Sequence, residues 1–431
     1  MTLYLLVLVA SVFLGTELFS LSLPGFQLTI YRLLGLGAMP LMILQIWRQN
    51  RQLTLGTRDG ASSMVVAYGI WWFSALLSFF WVKDLVGWAQ AVFLLTLGMS
   101  AAGLLYWCVS RLDQWKKLVR TAWIMMSGLI VWGYFEILTN IYLFADLSKL
   151  DRRGTFNSDM GSRIPVTIFE NQNDFATMLL AYLCLNLICQ KISKSGRPQF
   201  LYWVTGLLAT YLIYRTDSRM SLLCVVIFFG TYWLTQLRYD LSTRFVKRVV
   251  IFLLLALVAI FATVPQVSDA LGSVIYTGQS GYLSGDLVRV NLLRLGIIFL
   301  GQTFGLGVGA GNIEYWMEHA AFLPLKGITN MHHWWFEILV GYGLIPFIAY
   351  VVAYGHLVQR LWQIQRISHK FYQPVARSLL AFLVTFVFAS TTSANNILIE
   401  WHWVFFGLIL AYLQVVDTSN EDPYLKKERS R

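Results

Sequence analysis

Charged residues are scarce in this chain. Asp, Glu, Lys and Arg together make up 13% of the 431 residues, whereas 57% are hydrophobic. A soluble globular domain usually carries about twice that share of charge. The composition therefore excludes a water-soluble domain. Because apolar runs recur evenly from residue 3 to residue 416, we predict a single integral membrane domain, residues 1–431.

Several local signals are also missing. The four cysteines lie in or at the ends of apolar runs without the paired spacing of a metal knuckle, so we expect small apolar side chains in the interior. The first apolar run has no basic segment before it and no A-x-A site after it, which predicts a retained span rather than a cleaved signal peptide. No HExxH motif is present, and we predict no metal site and no cofactor.

The chain consists mainly of apolar runs of membrane-spanning length. A hydrocarbon layer about 30 Å thick needs roughly 20 apolar residues per helix, and only helices and closed barrels satisfy their own backbone there. We therefore predict an all-α polytopic protein with about twelve transmembrane helices. The predicted spans are 3–21, 28–47, 63–82, 88–109, 118–144, 174–190, 200–214, 221–237, 249–264, 334–358, 375–390 and 396–416.

The positions of the basic residues predict the orientation. Lys and Arg concentrate in alternate loops, as the positive-inside rule requires when the spans are counted correctly. Both termini are thus predicted to be cytoplasmic, with residues 417–431 as a cytoplasmic tail. The net charge of +11 comes from these separate clusters rather than from one basic stripe, so no nucleic acid partner is expected.

Two predicted outer loops are longer than a connection requires, and long loops tend to be functional. The first comprises residues 145–173. The second, residues 265–333, separates the ninth and tenth spans and contains a predicted amphipathic helix over 286–299, capped by Asp286. The apolar positions of this helix recur at helical spacing: Leu287, Val290, Leu293 and Ile297. Such a helix is expected to rest on the membrane surface.

The few outer cations stand at predicted span ends. Arg215 and Arg219 bracket a short turn between the seventh and eighth spans, and Arg289 and Arg294 interrupt the helix of the second outer loop. Arg grips phosphate through two parallel hydrogen bonds, so convergence of the pair at 215 and 219 on a phosphate is one interpretation. Neutralisation by Asp217 is the other, and Arg289 could equally contact lipid headgroups.

The densest group of titratable residues stands where the second outer loop enters the tenth span. His332 or His333 could act as a general base near neutral pH, and Glu337 follows His333 by one helical turn, where its carboxylate could orient the imidazole. A metal site and a histidine beside an interfacial aromatic belt are the alternatives. We interpret the glycine-rich run 305–311 as a tight turn or hinge, because it follows no strand.

Two further sets of residues lie at predicted span ends or inside spans. Tryptophans are predicted to form interfacial belts, among them Trp334, Trp401 and Trp403. Ionisable side chains in hydrocarbon are functional candidates by default, and their partners are not evident from the sequence: Glu17, Glu136, Glu400 and His402.

Three motifs in this order resemble the O-antigen ligase and polymerase family, bacterial membrane proteins that transfer glycans from a polyprenyl-pyrophosphate carrier. Residues 171–176 are similar to the family's Asn-x-Ala entry to a span, and residues 216–219 to its Ser-Arg motif. Residues 332–345 are similar to its His-Asn-x-x-Leu and Gly signature. The sequence departs from that signature at His333 and Phe336, which makes it more similar to Gram-positive teichuronic acid, capsule or exopolysaccharide polymerases than to lipopolysaccharide ligases.

The resemblance implies a GT-C-like, multi-pass protein of the bacterial plasma membrane with its active site on the extracytoplasmic face. The implied activity is metal-independent, inverting polymerisation of lipid-pyrophosphate-linked repeat units. His332 would be the catalytic base, and Arg219 and Arg289 would bind pyrophosphate. The further expected substrate contacts are Arg215, His333, Asn173, Glu337 and Arg294. The implied partners are a polyprenyl-pyrophosphate-linked oligosaccharide, membrane lipid, a flippase and a chain-length regulator.

Three alternatives to a polymerase remain open. A ligase would transfer the glycan to a different acceptor with the same residues. A metal-dependent transferase acting on lipid-phosphate sugars usually needs acids in its first outer loop, and residues 22–27 contain none. A transporter or lipid flippase should show inverted repeats, and no repeat is visible in the sequence.

Overall fold

The computed structural model describes residues 1–15, 20–23, 26–49, 60–143, 163–169, 171–193, 199–236, 285–367, 371–391 and 399–418. The predicted ninth span, 249–264, lies outside these residues. So do residues 145–162 and 265–284 of the two long loops and residues 419–431 of the predicted tail.

Helices make up most of the described chain. The first part contains α1 (Thr2–Ser11), β1 (Ser20–Leu23), β2 (Phe26–Thr29), α2 (Ile30–Gln49), α3 (Gly60–Leu77), a 3-10 turn (Ser78–Phe80), α4 (Leu85–Cys108) and α5 (Leu112–Thr139). The middle part contains α6 (Gln172–Ile192), α7 (Gln199–Arg215) and α8 (Arg219–Leu234). The last part contains α9 (Gly285–Gln302), α10 (Ile313–His319), α11 (Trp334–Tyr342), α12 (Leu344–Ile367), α13 (Tyr372–Ala389) and α14 (Glu400–Thr418).

Seven of these helices, α2 to α6 together with α12 and α13, are long and apolar enough to cross a membrane. The predicted class, a helical polytopic membrane protein, is confirmed at this level. The total of about twelve spans and their orientation stay predictions.

The N-terminal region departs from the all-α prediction. The predicted first span, 3–21, is helical over Thr2–Ser11, and β1 pairs antiparallel with β2, with Leu21 opposite Leu28. The segment Ser-Leu-Ser-Leu alternates with the two-residue period of a strand. A hydropathy window averages over that alternation, so the prediction extended the first span across β1 and began the second inside β2.

The predicted tenth span, 334–358, is two helices rather than one. α11 ends at Tyr342 and α12 begins at Leu344, with Gly343 between them at φ +93°. A Cβ atom at Gly343 would lie 2.5 Å from the Leu306 carbonyl oxygen. The break therefore comes from the close approach of the 305–311 segment, which hydropathy does not register.

Buried aromatic rings fill the space between α3, α11, α12 and α14. The Trp71 ring lies 5.5 Å from Tyr350, 6.2 Å from Trp334 and 5.8 Å from Trp403 between centroids. Trp334, Trp401 and Trp403 are all buried. Their prediction as interfacial belt residues is wrong, because their side chains are buried inside the protein.

The cysteines agree with the prediction. All four are free thiols; Cys184, Cys189 and Cys224 are buried, and Cys108 is partly buried. They occupy positions among apolar side chains.

Candidate functional site

The first residue of α8 is level with the last turn of α13. Cys224 Sγ lies 3.9 Å from the Thr385 carbonyl oxygen, and further along α8 Tyr232 lies within electrostatic reach of Arg377. From the first contact to the second, the residue number rises in α8 and falls in α13, so the two helices are antiparallel. Arg219 lies five residues before Cys224, and Ser390 lies five residues after Thr385. Because the helices are antiparallel, Arg219 is level with Ser390.

The histidine motif lies at this same end. The Ser390 carbonyl oxygen accepts a hydrogen bond from Trp334 N at 2.9 Å, and Ser390 Oγ accepts one from Trp335 Nε1 at 3.1 Å. We call this the motif end of the bundle. The structure thus brings the start of α8 and the start of α11 together, although 115 residues separate Arg219 from Trp334 in the sequence.

The motif at residues 171–176 also lies at the motif end. A Cβ atom at Gly133 would lie 3.1 Å from Phe175 and 3.3 Å from Leu212, so the start of α6 is level with the end of α7. Asn171 caps α6, since its Oδ1 accepts hydrogen bonds from Asn173 N at 2.9 Å and Asp174 N at 3.0 Å. The capping role of Asn171 was not assigned from the sequence, although an Asn just before an apolar run is typical of one.

Arg215 and Arg219 belong to different helices. Arg215 ends α7, and its guanidinium donates to the Arg163 carbonyl oxygen at 2.8 Å and to the Tyr211 hydroxyl at 3.2 Å. Arg219 begins α8 after a turn in which Asp217 has φ +53°, and its side chain is exposed. The spacing of four therefore does not place both guanidinium groups on one helix start, and Arg215 is directed towards the 163–169 segment.

His332 has an unusual backbone conformation. Its φ is +51°, a region that residues other than glycine seldom occupy, and its N–H donates to Asn330 Oδ1 at 2.8 Å. Strained residues of this kind concentrate at functional sites. Burial, together with a smaller effect of the Arg289 charge, lowers the pKa of His332 to about 4. The imidazole is consequently neutral at pH 7 and can accept a proton.

His333 caps α11. Its Nδ1 accepts a hydrogen bond from Phe336 N at 3.4 Å, which leaves the ring proton on Nε2. Burial lowers the pKa of His333 as well. The residue that departs from the family signature thus helps to start the helix that carries Glu337.

Helix α9 confirms the predicted helix over 286–299 and extends it at both ends. It begins at Gly285, so Asp286 lies in its first turn instead of at the cap. The apolar positions that the spacing singled out are half-buried or exposed: Leu287, Val290, Leu293 and Ile297. The buried stripe, also at helical spacing, consists of Val288, Leu292, Leu295 and Phe299. The helix is apolar nearly all round, so spacing alone did not choose the face that packs on α10 and α11.

The two arginines of α9 point in different directions. They are five residues apart, which separates them by about 140° around a helix. Arg289 is exposed and its charge acts on His332, whereas Arg294 is half-buried. The structure associates Arg289, and not Arg294, with His332.

The glycine-rich segment is a backbone clamp on α11. Val308 N donates to the Val340 carbonyl oxygen at 2.8 Å, and Gly309 N donates to that of Gly341 at 2.9 Å. Gly307, at φ +82°, lies so close that a Cβ atom there would be 2.6 Å from Gly343 N. The interpretation as a tight turn agrees with this geometry.

Asn312 joins this clamp to the start of α4. The side chain is fully buried, and its Oδ1 accepts from Lys83 N at 2.9 Å and Asp84 N at 2.8 Å. Its Nδ2 donates to the carbonyl oxygens of Asp84, at 2.9 Å, and Ala310, at 3.0 Å. All four hydrogen-bonding positions of the amide are thus used within the protein. No pattern in the sequence indicates this role.

A cavity of about 420 Å³ lies against the segment that precedes His332. Its volume is typical of a small-molecule site. The lining includes four acids, two amides and two phenols: Asp84, Glu314, Glu318, Glu337, Gln90, Asn330, Tyr315 and Tyr342. Asn330 and Met331, the two residues before His332, form part of the wall, and Glu337 is placed here from α11.

The structure shows hydrogen-bonding or ionic partners for two of the ionisable residues that were predicted inside spans or at their ends. Glu136 is fully buried, and its Oε2 accepts hydrogen bonds from Val166 N at 2.8 Å and Thr167 N at 2.9 Å. Glu400 Oε1 pairs with Arg32 Nε at 2.6 Å. Both carboxylates therefore connect separate parts of the chain.

No family model matches the chain. The chain is 26% identical over 433 residues to the teichuronic acid biosynthesis protein TuaE of Bacillus subtilis (strain 168), covering 97% of this chain and 85% of that protein. The resemblance that the motifs indicated is confirmed by this likeness. The match runs through all three motifs at the motif end, because it spans nearly the whole chain.

Proposed function

We propose that this protein polymerises polyprenyl-pyrophosphate-linked oligosaccharide units into a cell-envelope polysaccharide. The observation that carries the proposal is His332: a half-buried, neutral imidazole with a strained backbone, close to the charge of Arg289 and directly after two residues that line a polar cavity. The likeness to a teichuronic acid biosynthesis protein supports the same class of product.

In the proposed step, an acceptor sugar hydroxyl attacks the anomeric carbon of the lipid-linked donor from the side opposite the pyrophosphate. The new glycosidic C–O bond forms as the bond between that carbon and the pyrophosphate oxygen breaks. The hydroxyl proton passes to His332, and polyprenyl pyrophosphate leaves with the bonding electrons. The anomeric configuration is inverted.

Arg219 and Arg289 neutralise the charge that develops on the leaving pyrophosphate, and because Arg is always protonated this needs no proton transfer. Arg215, Asn173, His333, Glu337 and Arg294 are proposed to position the substrates around them. Their placements support this unequally: Arg215 and His333 already hold backbone atoms of the protein, and Arg294 faces away from Arg289.

The low pKa of His332 fits a site that becomes active when the donor arrives. A pyrophosphate beside Arg289 adds negative charge, which favours the protonated imidazole and raises its pKa towards neutrality. Free enzyme would thus hold a neutral base, and the complex would hold a stronger one.

The proposal includes a membrane arrangement. The chain crosses the bacterial plasma membrane about twelve times with both termini in the cytoplasm, and the motif end faces the outside. Lipid-linked units would reach that face through a flippase, and a chain-length regulator would set product size.

The test is glycan transfer in proteoliposomes supplied with polyprenyl-pyrophosphate-linked repeat units in the presence of a chelator. We expect chain growth by the unaltered protein and its loss in Arg219→Ala, Arg289→Ala and His332→Ala. Arg366→Ala is the matched control, because that exposed Arg lies over Trp362, away from the motif end. Transfer to a different acceptor only would indicate a ligase. Movement of labelled lipid between leaflets without transfer would indicate a flippase and overturn the proposal.

A further inference from the structure

We propose that the 420 Å³ cavity against the segment that precedes His332 is the acceptor subsite and that it takes an uncharged sugar, while the arginines take the anionic donor. This inference rests on the proposed function and adds the part that the motifs leave open, namely where the nucleophilic sugar sits. The lining residues that carry it, apart from Glu337 and Tyr342, lie outside the three motifs.

Position is the first argument. Asn330 lines the cavity and, through its Oδ1, holds His332 N at 2.8 Å. We therefore place the acceptor hydroxyl at the end of the cavity where Asn330 and Met331, the two residues before His332, form the wall. General-base catalysis requires such proximity.

The charge of the walls is the second argument. The described lining residues include Asp84, Glu314, Glu318 and Glu337 but no Lys or Arg. A pyrophosphate in such a cavity would face four carboxyl groups, so the donor headgroup is disfavoured there. The cations Arg219 and Arg289 lie outside the lining. The two substrates of the transfer would therefore be sorted by charge on either side of His332.

The chemistry of the walls is the third argument. Sugar hydroxyls donate hydrogen bonds, and carboxylates are acceptors that bind such donors more strongly than neutral groups do. Gln90 and Asn330 can both donate and accept, and Tyr315 and Tyr342 add ring surface. This combination suits a hydroxyl-rich neutral ligand or one with an acetamido group. The same carboxylates would repel a uronic acid.

Asp84, one of the four acids in the lining, is held in place by hydrogen bonds within the protein. Asn312 binds the backbone of Lys83 and Asp84, and Asp84 Oδ1 in turn accepts from Val86 N at 3.0 Å at the start of α4. Preorganisation of this kind lowers the entropic cost of binding. Asn312 is thus a positioning residue for the cavity.

Binding can be measured without any donor lipid. We would use saturation-transfer NMR on the full chain in nanodiscs, with N-acetylglucosamine and glucuronic acid as probes. The unaltered protein is expected to bind N-acetylglucosamine at least about tenfold more tightly than glucuronic acid, a preference of about 1.4 kcal/mol. The double variant Glu314→Gln, Glu318→Gln should reduce that ratio at least about threefold, because it removes two like charges.

A filling variant and a control complete the binding experiment. Leu94→Trp places a large ring in the cavity and should abolish binding of the neutral probe. Asp113→Asn removes an exposed acid at the start of α5 and should leave both affinities unchanged. The acceptor subsite would be overturned if the unaltered protein and Leu94→Trp bound N-acetylglucosamine equally well. It would also be overturned if neither protein bound this sugar.

A transfer assay separates this inference from the proposed function. In the double variant the KM for the acceptor should rise about tenfold or more, while the KM for the lipid-linked donor and kcat at saturating acceptor stay within about twofold. An unchanged acceptor KM in a variant that transfers glycan would refute the subsite alone. Sugar binding by a protein that transfers nothing would refute the polymerase and leave the subsite standing.

Discussion

Asn330 Oδ1 accepts a hydrogen bond from His332 N at 2.8 Å, and this contact accompanies the left-handed backbone of His332. A side-chain oxygen two residues before an N–H forms a turn that replaces the backbone pairing a strained residue lacks. Asn330 therefore supports the backbone conformation from which the His332 side chain projects.

Replacing Asn330 with Ala should lower transfer strongly without unfolding the protein. The lost hydrogen bond frees His332 to relax, and a displacement of about 1 Å at a reacting group can reduce the rate about 100-fold. We expect kcat to fall between about tenfold and about 100-fold, measured by release of polyprenyl pyrophosphate. Asn330→Asp keeps the accepting oxygen and should retain most of the activity. A fully active Asn330→Ala would show that the turn does not position His332.

The pH dependence of transfer should reflect the lowered pKa of His332. Only the neutral imidazole accepts a proton, and a pKa of about 4 moves its loss to low pH. The kcat/KM of the free enzyme should therefore stay level from about pH 8 to about pH 5 and fall as the pH drops through about 4. A fall centred on the ordinary histidine range near pH 6.5 would contradict the burial of this side chain.

Arg289→Ala provides a second test of the same environment. Removing the positive charge takes away one cause of the lowered pKa, so the pKa of His332 should rise. The rise should be small, because burial is the larger cause. An NMR titration of His332 would measure it, with Arg294→Ala as the control on the other side of α9. A larger shift in the control would show that the assignment of Arg289 to His332 is incorrect.

Hydropathy and local pattern predicted much of the architecture. The runs that became α3 to α6 and α13 were placed within a few residues of their observed ends, and the helix over 286–299 was found. These features depend on composition within one segment. Polar motifs at span ends were located too, because a polar cluster in an apolar chain is conspicuous.

Three of the missed features depend on contacts between distant segments. The break at Gly343 exists because Leu306 and Gly305 lie against it, and the buried face of α9 is chosen by α10 and α11. Asn312 looks like any loop amide until Lys83 and Asp84 are brought to it by the fold. A single sequence contains no information about which residues will meet in this way.

Gly343→Ala should destabilise the protein clearly. An added Cβ would lie 2.5 Å from the Leu306 carbonyl oxygen, and the φ of +93° disfavours any side chain. Strained backbone of this kind costs about 1 to 3 kcal/mol, and the backbone clash adds to that cost. The measurement is thermal unfolding in detergent. Gly355→Ala is the matched control, since a Cβ there meets nothing within 4 Å inside α12. It should be neutral or stabilising by up to about 1 kcal/mol.

The Arg32–Glu400 pair should contribute more to stability than a surface ion pair. The two charges are 2.6 Å apart with side chains 13% and 15% exposed, and Arg32 also donates to the Gln27 carbonyl oxygen of β2 at 2.6 Å. Removing one partner leaves a charge with little access to water, which costs about 3 to 5 kcal/mol in buried pairs. Glu400→Gln should therefore lower the unfolding temperature.

A double-mutant cycle separates the pair from other effects of the substitution. Arg32→Met removes the charge on the other side, and the double variant Arg32→Met, Glu400→Gln should be less destabilised than the two single effects combined, because no unpaired charge remains. Asp113→Asn is the surface comparison: its partner Lys116 lies 3.9 Å away, and the Asp side chain is 91% exposed. Its loss should change stability by less than about 1 kcal/mol. Additive effects at Arg32 and Glu400 would show that the pair does not couple α2 to α14.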